Sequence, residues 1–295
     1  ALVADSCYNK SPDAGSIDPA DIATGNIYQF SSQITATMPA GCLYTDTVDG
    51  IEEYTCGVPL TLAVYDSIVI DEGSSANITF AGALTTGISN SFNAGGDASN
   101  LNIHTLGALT INDSSVINGN VSSVGAIVIG TSVLLNGNLS ASTPAGVITT
   151  NTGSRITGSV FTTDGAITLG AGAIVGSDVS SDAGVLTLLA GALTYEVTSG
   201  AGAITIYAGS HICRNVTSTG AGVISLTGVA VGRSLSSVAG AITGVTGTTV
   251  GKDVTITGAG VATFTASEIG GNISTIAAPV LTTTLVGGLI NGVPQ

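Results

Sequence analysis

The phrase Gly-Ala-Ile-Thr and its close variants recur ten times between Gly107 and Thr282, at intervals of 18 to 21 residues. Aligned on its aliphatic residue, the phrase gives a column running Leu109, Ile127, Ile148, Ile167, Leu186, Ile204, Ile224, Ile242, Ala262 and Leu281. A second aliphatic column follows each phrase, from Val121, Leu139 and Val160 to Ile273 and Val293. A third lies between the two: Ile117, Leu134, Ile156, Ile174 and Leu193, then Ile212 onward to Ile269 and Leu289. A unit of about 19 residues cannot bury a core alone, so repetition at this period requires stacking of successive units.

Each anchor sits in a segment too short for a helix, and aliphatic residues alternate with small ones, the periodicity of a strand. The sequence therefore predicts an all-β fold, a parallel β-solenoid with three short strands per coil. Equivalent strands would lie about 4.8 Å apart along the axis. Residues 105–295 would form about ten regular coils, residues 60–104 irregular first coils, and residues 1–59 a small N-terminal β region. Gly and Ser/Asn pairs are placed at the corners, where positive φ is needed. No capping segment is evident around "LVGGLINGVPQ", which predicts an open C-terminal edge.

Composition supports this reading. Gly is 42 of 295 residues while Pro is only 7, which fits neither collagen nor a linker. A 44% hydrophobic content with 8% charge argues against disorder. The net charge of −14 argues against a nucleic-acid partner. It is unevenly spread: residues 1–100 hold twelve of the nineteen acids and one base, Lys10. No apolar run reaches the roughly 18 residues of a membrane helix. The opening "ALVADS" has no basic n-region and reads as a processed start.

Stacked coils turn equivalent positions into surface columns. Thr110, Thr149, Thr168, Thr187, Thr205, Thr243 and Thr263 share one column, flanked by an Ala/Val column from Ala108 to Val280. This flat face reads as plain β-propensity, as lateral packing between rods, or as an ice-binding surface. A corner column holds Asn120, Asn138, Asp178, Asn215, Asp253 and Asn272, placed to bond neighbouring backbone. Six Asn-X-Ser/Thr sequons, at Asn77, Asn112, Asn120, Asn138, Asn215 and Asn272, fall partly on this column. Beside it Arg214, Arg233 and Lys252 form a basic ladder at 19-residue intervals. Its mutual repulsion is balanced by Asp253, or relieved by a counter-surface such as the acidic N-terminal region of the same or a neighbouring chain.

"CLYTDTVDGIEEYTC" reads as a hairpin with a three-residue loop Val48-Asp49-Gly50, which sets Cys42 opposite Cys56 for a disulfide. A disulfide implies an oxidising, extracellular setting. Cys7 and Cys213 either pair within the chain or join neighbouring molecules. The acids Asp46, Asp49, Glu52 and Glu53 admit a calcium site, without the full EF-hand pattern, or simply a solvated hairpin. His104 and His211 are isolated, and no catalytic constellation is present. The coils carry no long loops to wall a cleft, so the chain is not expected to be an enzyme and no cofactor is called for.

The phrases "GAITLGAGAIVGSDV" and "GALTINDSSVINGNV" resemble repeats of bacterial extracellular β-solenoids, among them adhesin-like repeats and the ice-binding-like family. The triangular coil also resembles the bactofilins, and that resemblance implies head-to-tail polymerisation. The expectation is a secreted structural protein at the cell surface whose partner is itself. The alternative is a monomeric surface-binding module that uses the Thr/Ala face.

Overall fold

The computed structural model describes residues 25–32, 38–143 and 146–276, with the backbone of the strands Val280–Leu281, Leu289–Ile290 and Val293–Pro294. The chain divides between Val160 and Phe161 into two compact units. Each is a parallel β-solenoid in which every coil supplies one strand to each of three sheets, taken in chain order as first, second and third.

In the N-terminal unit the first sheet begins at Leu60–Thr61 and adds Leu84–Thr85, Leu109–Ile111 and Ile127–Ile129 in register. Its second sheet begins at Ile27–Phe30, followed by Ser67–Ile70 and Ser91–Phe92. Its third sheet begins with a hairpin. Cys42–Val48 pairs antiparallel with Ile51–Cys56, which then pairs parallel with Ser75–Phe80. The composition change near residue 100 thus falls inside continuous sheets.

In the C-terminal unit Ile167, Leu186, Ile204, Ile224, Ile242 and Ala262 stack in direct register, as the spacing predicts. So do Val179, Val197, Val216, Leu235, Val254 and Ile273 in the third sheet. These side chains are buried, the Val, Leu and Ile among them each contributing roughly 1.5–3 kcal/mol. Intervening residues point outward, which produces the alternating burial of strands such as Ile204–Ile206.

The second-sheet column differs from the sequence reading in three coils. Leu135, Val175 and Thr194 are the buried members, and Leu134, Ile174 and Leu193 face outward. Strands of two or three residues hold too little alternation to fix their phase. Thr194 fits inside because its hydroxyl donates to the Ser177 carbonyl at 3.0 Å.

The tenth coil also differs. Leu281 pairs with Phe264 rather than Ala262. Leu289–Ile290 joins the third sheet beside Asn272–Ile273, and Val293–Pro294 returns antiparallel. The third sheet is therefore not an open parallel edge there: its outermost described strand is reversed and carries a proline.

Corners use glycine for two different reasons. The corner between the first and second strands has one left-handed residue per coil, Gly172, Gly191, Gly209, Gly228 and Gly247 among them, with Ala266 at φ 45°. The corner between the third and first strands does not. There Gly184, Gly202, Gly222 and Gly240 stack so closely that a Cβ on Gly202 would lie 1.9 Å from the Gly184 carbonyl oxygen. The positive φ predicted for corner glycines holds at the first of these corners, and close backbone approach explains the other. Buried hydroxyls seal the glycine corner: Ser199 donates to the Gly202 carbonyl at 2.7 Å and Ser237 to Gly240 at 2.8 Å.

The first coils are wider, with 24 residues from Leu60 to Leu84 and 25 from there to Leu109. Aromatic rings fill the extra section. Phe30, Tyr54, Phe80 and Phe92 are fully buried, and Phe30 meets Tyr54 edge-on at 5.2 Å.

Candidate interaction surfaces

The Thr column is a continuous outward stripe in each unit. Thr168, Thr187, Thr205, Ser225, Thr243 and Thr263 are in register in the C-terminal unit. In the N-terminal unit the stripe runs Thr61, Thr85, Thr110, Val128 and Thr149. Thr61 and Thr85 lie outside the sequence alignment: the coil of Thr61 reads Val-Pro-Leu-Thr, and Gly82-Ala83-Leu84-Thr85 carries the phrase but stands 25 residues before Leu109, off the 18-to-21-residue spacing. Neighbouring hydroxyls lie about 4.8 Å apart along the axis. The Ala/Val column beside them is partly exposed, with Val185 at 45%.

The third sheet carries a side-chain ladder that the sequence showed only in part. Asn138 donates to Asn120 at 3.0 Å, Asn120 to Asn102 at 3.0 Å, and Asn102 to Asn77 at 2.9 Å. Asn77 in turn donates to the Glu53 carboxylate of the hairpin at 2.6 Å. The amides of three sequons are therefore committed to neighbouring coils. In the C-terminal unit the same column turns to the backbone: Asp253 Oδ1 accepts the Asn272 N–H at 2.8 Å.

The hairpin reaches the predicted cysteine pairing by another route. Its loop is only Asp49-Gly50, both at positive φ, the signature of a type I′ turn. A bulge between Tyr44 and Asp46 absorbs the odd residue, and Thr45 donates its hydroxyl to the Glu53 carbonyl at 2.9 Å. Cys42 and Cys56 are disulfide-bonded. Cys213 is also in a disulfide, while its predicted partner Cys7 lies outside the described residues.

The four hairpin acids do not converge. Glu52 faces inward, accepting the Tyr54 and Ser32 hydroxyls, each at 2.6 Å. Glu53 faces the ladder, and Asp46 accepts the Thr47 N–H. Burial, with the Glu52 hydrogen bond second, raises the Tyr54 phenol above its ordinary range. Among the described residues no group of three or more His, Cys, Asp or Glu side chains is placed to hold a metal ion. His104 Nδ1 lies 2.8 Å from the Ser122 hydroxyl, on the outward face of the third sheet.

The basic ladder stacks coil upon coil: Arg233 N–H donates to the Arg214 carbonyl at 2.9 Å, and Lys252 N–H to Arg233 at 3.0 Å. The Arg214 guanidinium lies 4.5 Å from the Tyr195 ring centre, a cation–π contact. Arg233 and Lys252 are exposed. All three occupy the corner between second and third strands. The same corner in the N-terminal unit carries Asp49, Asp71, Glu72 and Asp97. The Ser99 main-chain N–H and hydroxyl hold the Asp97 carboxyl below its usual range, so it keeps its charge.

No family model, curated protein or solved structure matches the chain. Among the described residues no helix is long and apolar enough to cross a membrane.

Proposed function

We propose that this chain is an extracellular structural protein that assembles end to end with copies of itself. The observation that carries this reading is where its apolar side chains are exposed. Among the described residues the three most exposed large apolar side chains are Ile276 at 75%, Leu43 at 60% and Ile27 at 59%. Ile27 and Leu43 lie on the outermost described strands of the N-terminal unit, and Ile276 follows the strand Asn272–Thr275 in the C-terminal unit. Exposed apolar groups and outer strand edges invite a further strand.

Strand direction selects the polarity. The first and second sheets begin and end on forward strands: Leu60–Thr61 and Ile27–Phe30 come first in the N-terminal unit, and Val280–Leu281 and Glu268–Ile269 come last in the C-terminal unit. The third begins on the reversed Cys42–Val48 and ends on the reversed Val293–Pro294. In each sheet the first and last described strands run in the same sense, so copies joined head to tail would pair parallel there, as coils do inside each unit. Pro294 withholds one donor from the last strand of the third sheet. Such a contact is heterologous and propagates as a filament when its rotation does not close. The disulfides fit an oxidising compartment, and the bactofilin resemblance points to the same mode of assembly.

Electron microscopy of the purified chain in native buffer tests this. Fibres that lengthen with concentration are expected. Discrete particles at every concentration overturn it.

A second reading is favoured by the Thr stripe, which runs through the irregular first coils as well as the regular ones. A flat surface held by this face would be lost on replacing Thr168, Thr187 and Thr205 with Lys, whereas end-to-end assembly would survive. Thermal hysteresis and adsorption assays on that variant separate the two.

A further inference from the structure

We propose that Asn272, in the sequon Asn272-Ile273-Ser274, is the acceptor of an N-linked glycan, and that the other five Asn-X-Ser/Thr sequons are parts of the fold; this rests on the extracellular half of the reading above. Five of the six sequons lie on third-sheet strands or open them. Their middle residues, Ile78, Val121, Leu139, Val216 and Ile273, are buried. The asparagine and the hydroxyl residue on either side then face outward together, as i and i+2 of a strand do. Packing alone therefore writes sequons into this column, and what separates them is the work each side chain does.

Four sequons commit the amide nitrogen itself. Asn77 donates to the Glu53 carboxylate, Asn120 to Asn102, Asn138 to Asn120, and Asn112 to the Thr86 carbonyl. In a fifth, Asn215 Oδ1 accepts the Ser234 N–H at 3.3 Å and the Thr217 hydroxyl accepts from Ser236 at 3.2 Å. Asn272 differs on each count. Neither its side chain nor the Ser274 hydroxyl makes a hydrogen bond among the described residues. It is also the one sequon in which the Asn and the Ser or Thr are both exposed. Elsewhere in the column the side-chain oxygen accepts a main-chain N–H from the next coil: Asn120 from Asn138, Asn138 from Ser159, and Asp253 from Asn272. Asn272 pairs by its backbone with Leu289, yet its amide does not repeat that bond, so coil packing does not account for it.

Glycan transfer requires a free amide nitrogen and, two residues on, a hydroxyl for the transferring enzyme to hold. The donor is an oligosaccharide carried on a lipid pyrophosphate. Asn272 Nδ2 bonds to the sugar C1, the C1–O bond to the pyrophosphate breaks, and the lipid pyrophosphate leaves with that electron pair. Nδ2 gives up one proton to a base of the enzyme. At the ladder positions the same reaction would first have to break a bond between coils. A glycan on Asn272 projects from the outer face of the third sheet, across the stacking direction, and leaves the strand edges open to a further copy.

The test is site mapping on the chain isolated from its native source. Electron-transfer fragmentation of its peptides keeps any sugar on its own residue and so locates it. Sugar on Asn272 alone is expected. Asn272→Gln and Ser274→Ala, each produced in that source, should both lose the whole glycan mass, whereas Ser274→Thr should keep it. Ser274→Ala leaves the acceptor in place, so its effect reads recognition of the sequon. Both positions are exposed, and far-UV circular dichroism checks that each variant folds. A sugar-free Asn272 in chain recovered from outside the cell overturns the assignment and leaves the extracellular reading intact. Sugar on any of the other five sequons, or a glycan that survives Ser274→Ala, does the same. A sugar-free chain found only in the cytosol overturns the extracellular reading, and the site falls with it.

Discussion

Replacing Gly202 with Ala tests the stacking geometry at its tightest point. The added Cβ would lie 1.9 Å from the Gly184 carbonyl oxygen and 2.4 Å from its carbon. Ordinary contact begins near 3.4 Å, so the corner must open by about 1.5 Å. Gly184 cannot retreat, because its own Cβ position is 1.9 Å from the Gly165 oxygen. Two backbone hydrogen bonds flank the site, Leu186 N–H to Ala203 at 2.9 Å and Ala201 N–H to Asp182 at 3.0 Å. Opening the corner breaks both, at about 1–3 kcal/mol for each group left unsatisfied. With overpacking strain of similar size, the expected loss is at least about 3 kcal/mol. Gly191→Ala is the control. Its Cβ has 3.8 Å of clearance, so only the left-handed φ of 76° resists it, at about 1–2 kcal/mol. Asn visits that conformation readily, so Gly191→Asn should be milder still, whereas Gly202→Asn should be as harmful as Ala. Urea titration measures the totals, and hydrogen exchange at the Leu186 and Ala201 amides locates the damage. Equal costs for the two Ala variants would refute the two-corner account.

Ala266 occupies the left-handed corner at φ 45°, so Ala266→Gly should stabilise the chain by about 0.5–1 kcal/mol in the same titration. Gly244 leaves room for the Phe264 ring of the next coil, 2.4 Å from its Cβ position. Gly244→Ala should cost about 1–3 kcal/mol, and adding Phe264→Leu should recover part of it, a coupling that a double-mutant cycle measures. Tyr54 has its folded pKa raised above the unfolded value near 10. Its contribution is present in full below pH 10 and is lost as pH rises from there toward the folded value. Alkaline titration followed by circular dichroism should show that loss in the wild type, and Tyr54→Phe should reduce it.

The regular coils were readable because the first-sheet strands spell out their own phase. Leu186-Thr187-Leu188 alternates aliphatic, Thr, aliphatic, and the structure buries the outer two. Second-sheet strands gave no such signal. In Leu134-Leu135 and Ile174-Val175 both residues are aliphatic, and composition cannot say which one turns inward. Thr194 points the other way: a hydroxyl inside the core is tolerated only because Ser177 supplies a carbonyl, and that partner is 17 residues distant. The hairpin shows that a correct pairing can rest on a wrong turn. A three-residue loop and a two-residue loop with one bulge place the same cysteines opposite each other. The Asn ladder was half legible, since Asn120 and Asn138 fall within the repeat. Asn77 and Asn102 sit in the wider coils, whose 24- and 25-residue lengths hide the column.

A repeat of this kind also sets where function can be read. Every feature shared by all coils is already explained by packing: the aliphatic columns fill the core, the glycines allow close approach, and short outward side chains suit a pleated surface. Shared features therefore discriminate poorly between a rod that binds a surface and one that binds itself. Discrimination must come from residues that depart from the repeat without helping a coil to fold. Ile27, Leu43 and Ile276 leave apolar surface in water, a cost that a covering copy would offset. Arg233 and Lys252 add charge to a corner that Gly119 and Gly137 turn without any. Ile27 and Leu43 stand on the outermost described strands of the N-terminal unit, and none of these departures falls in the Thr column, which is why the end-to-end reading is preferred to the surface-binding one.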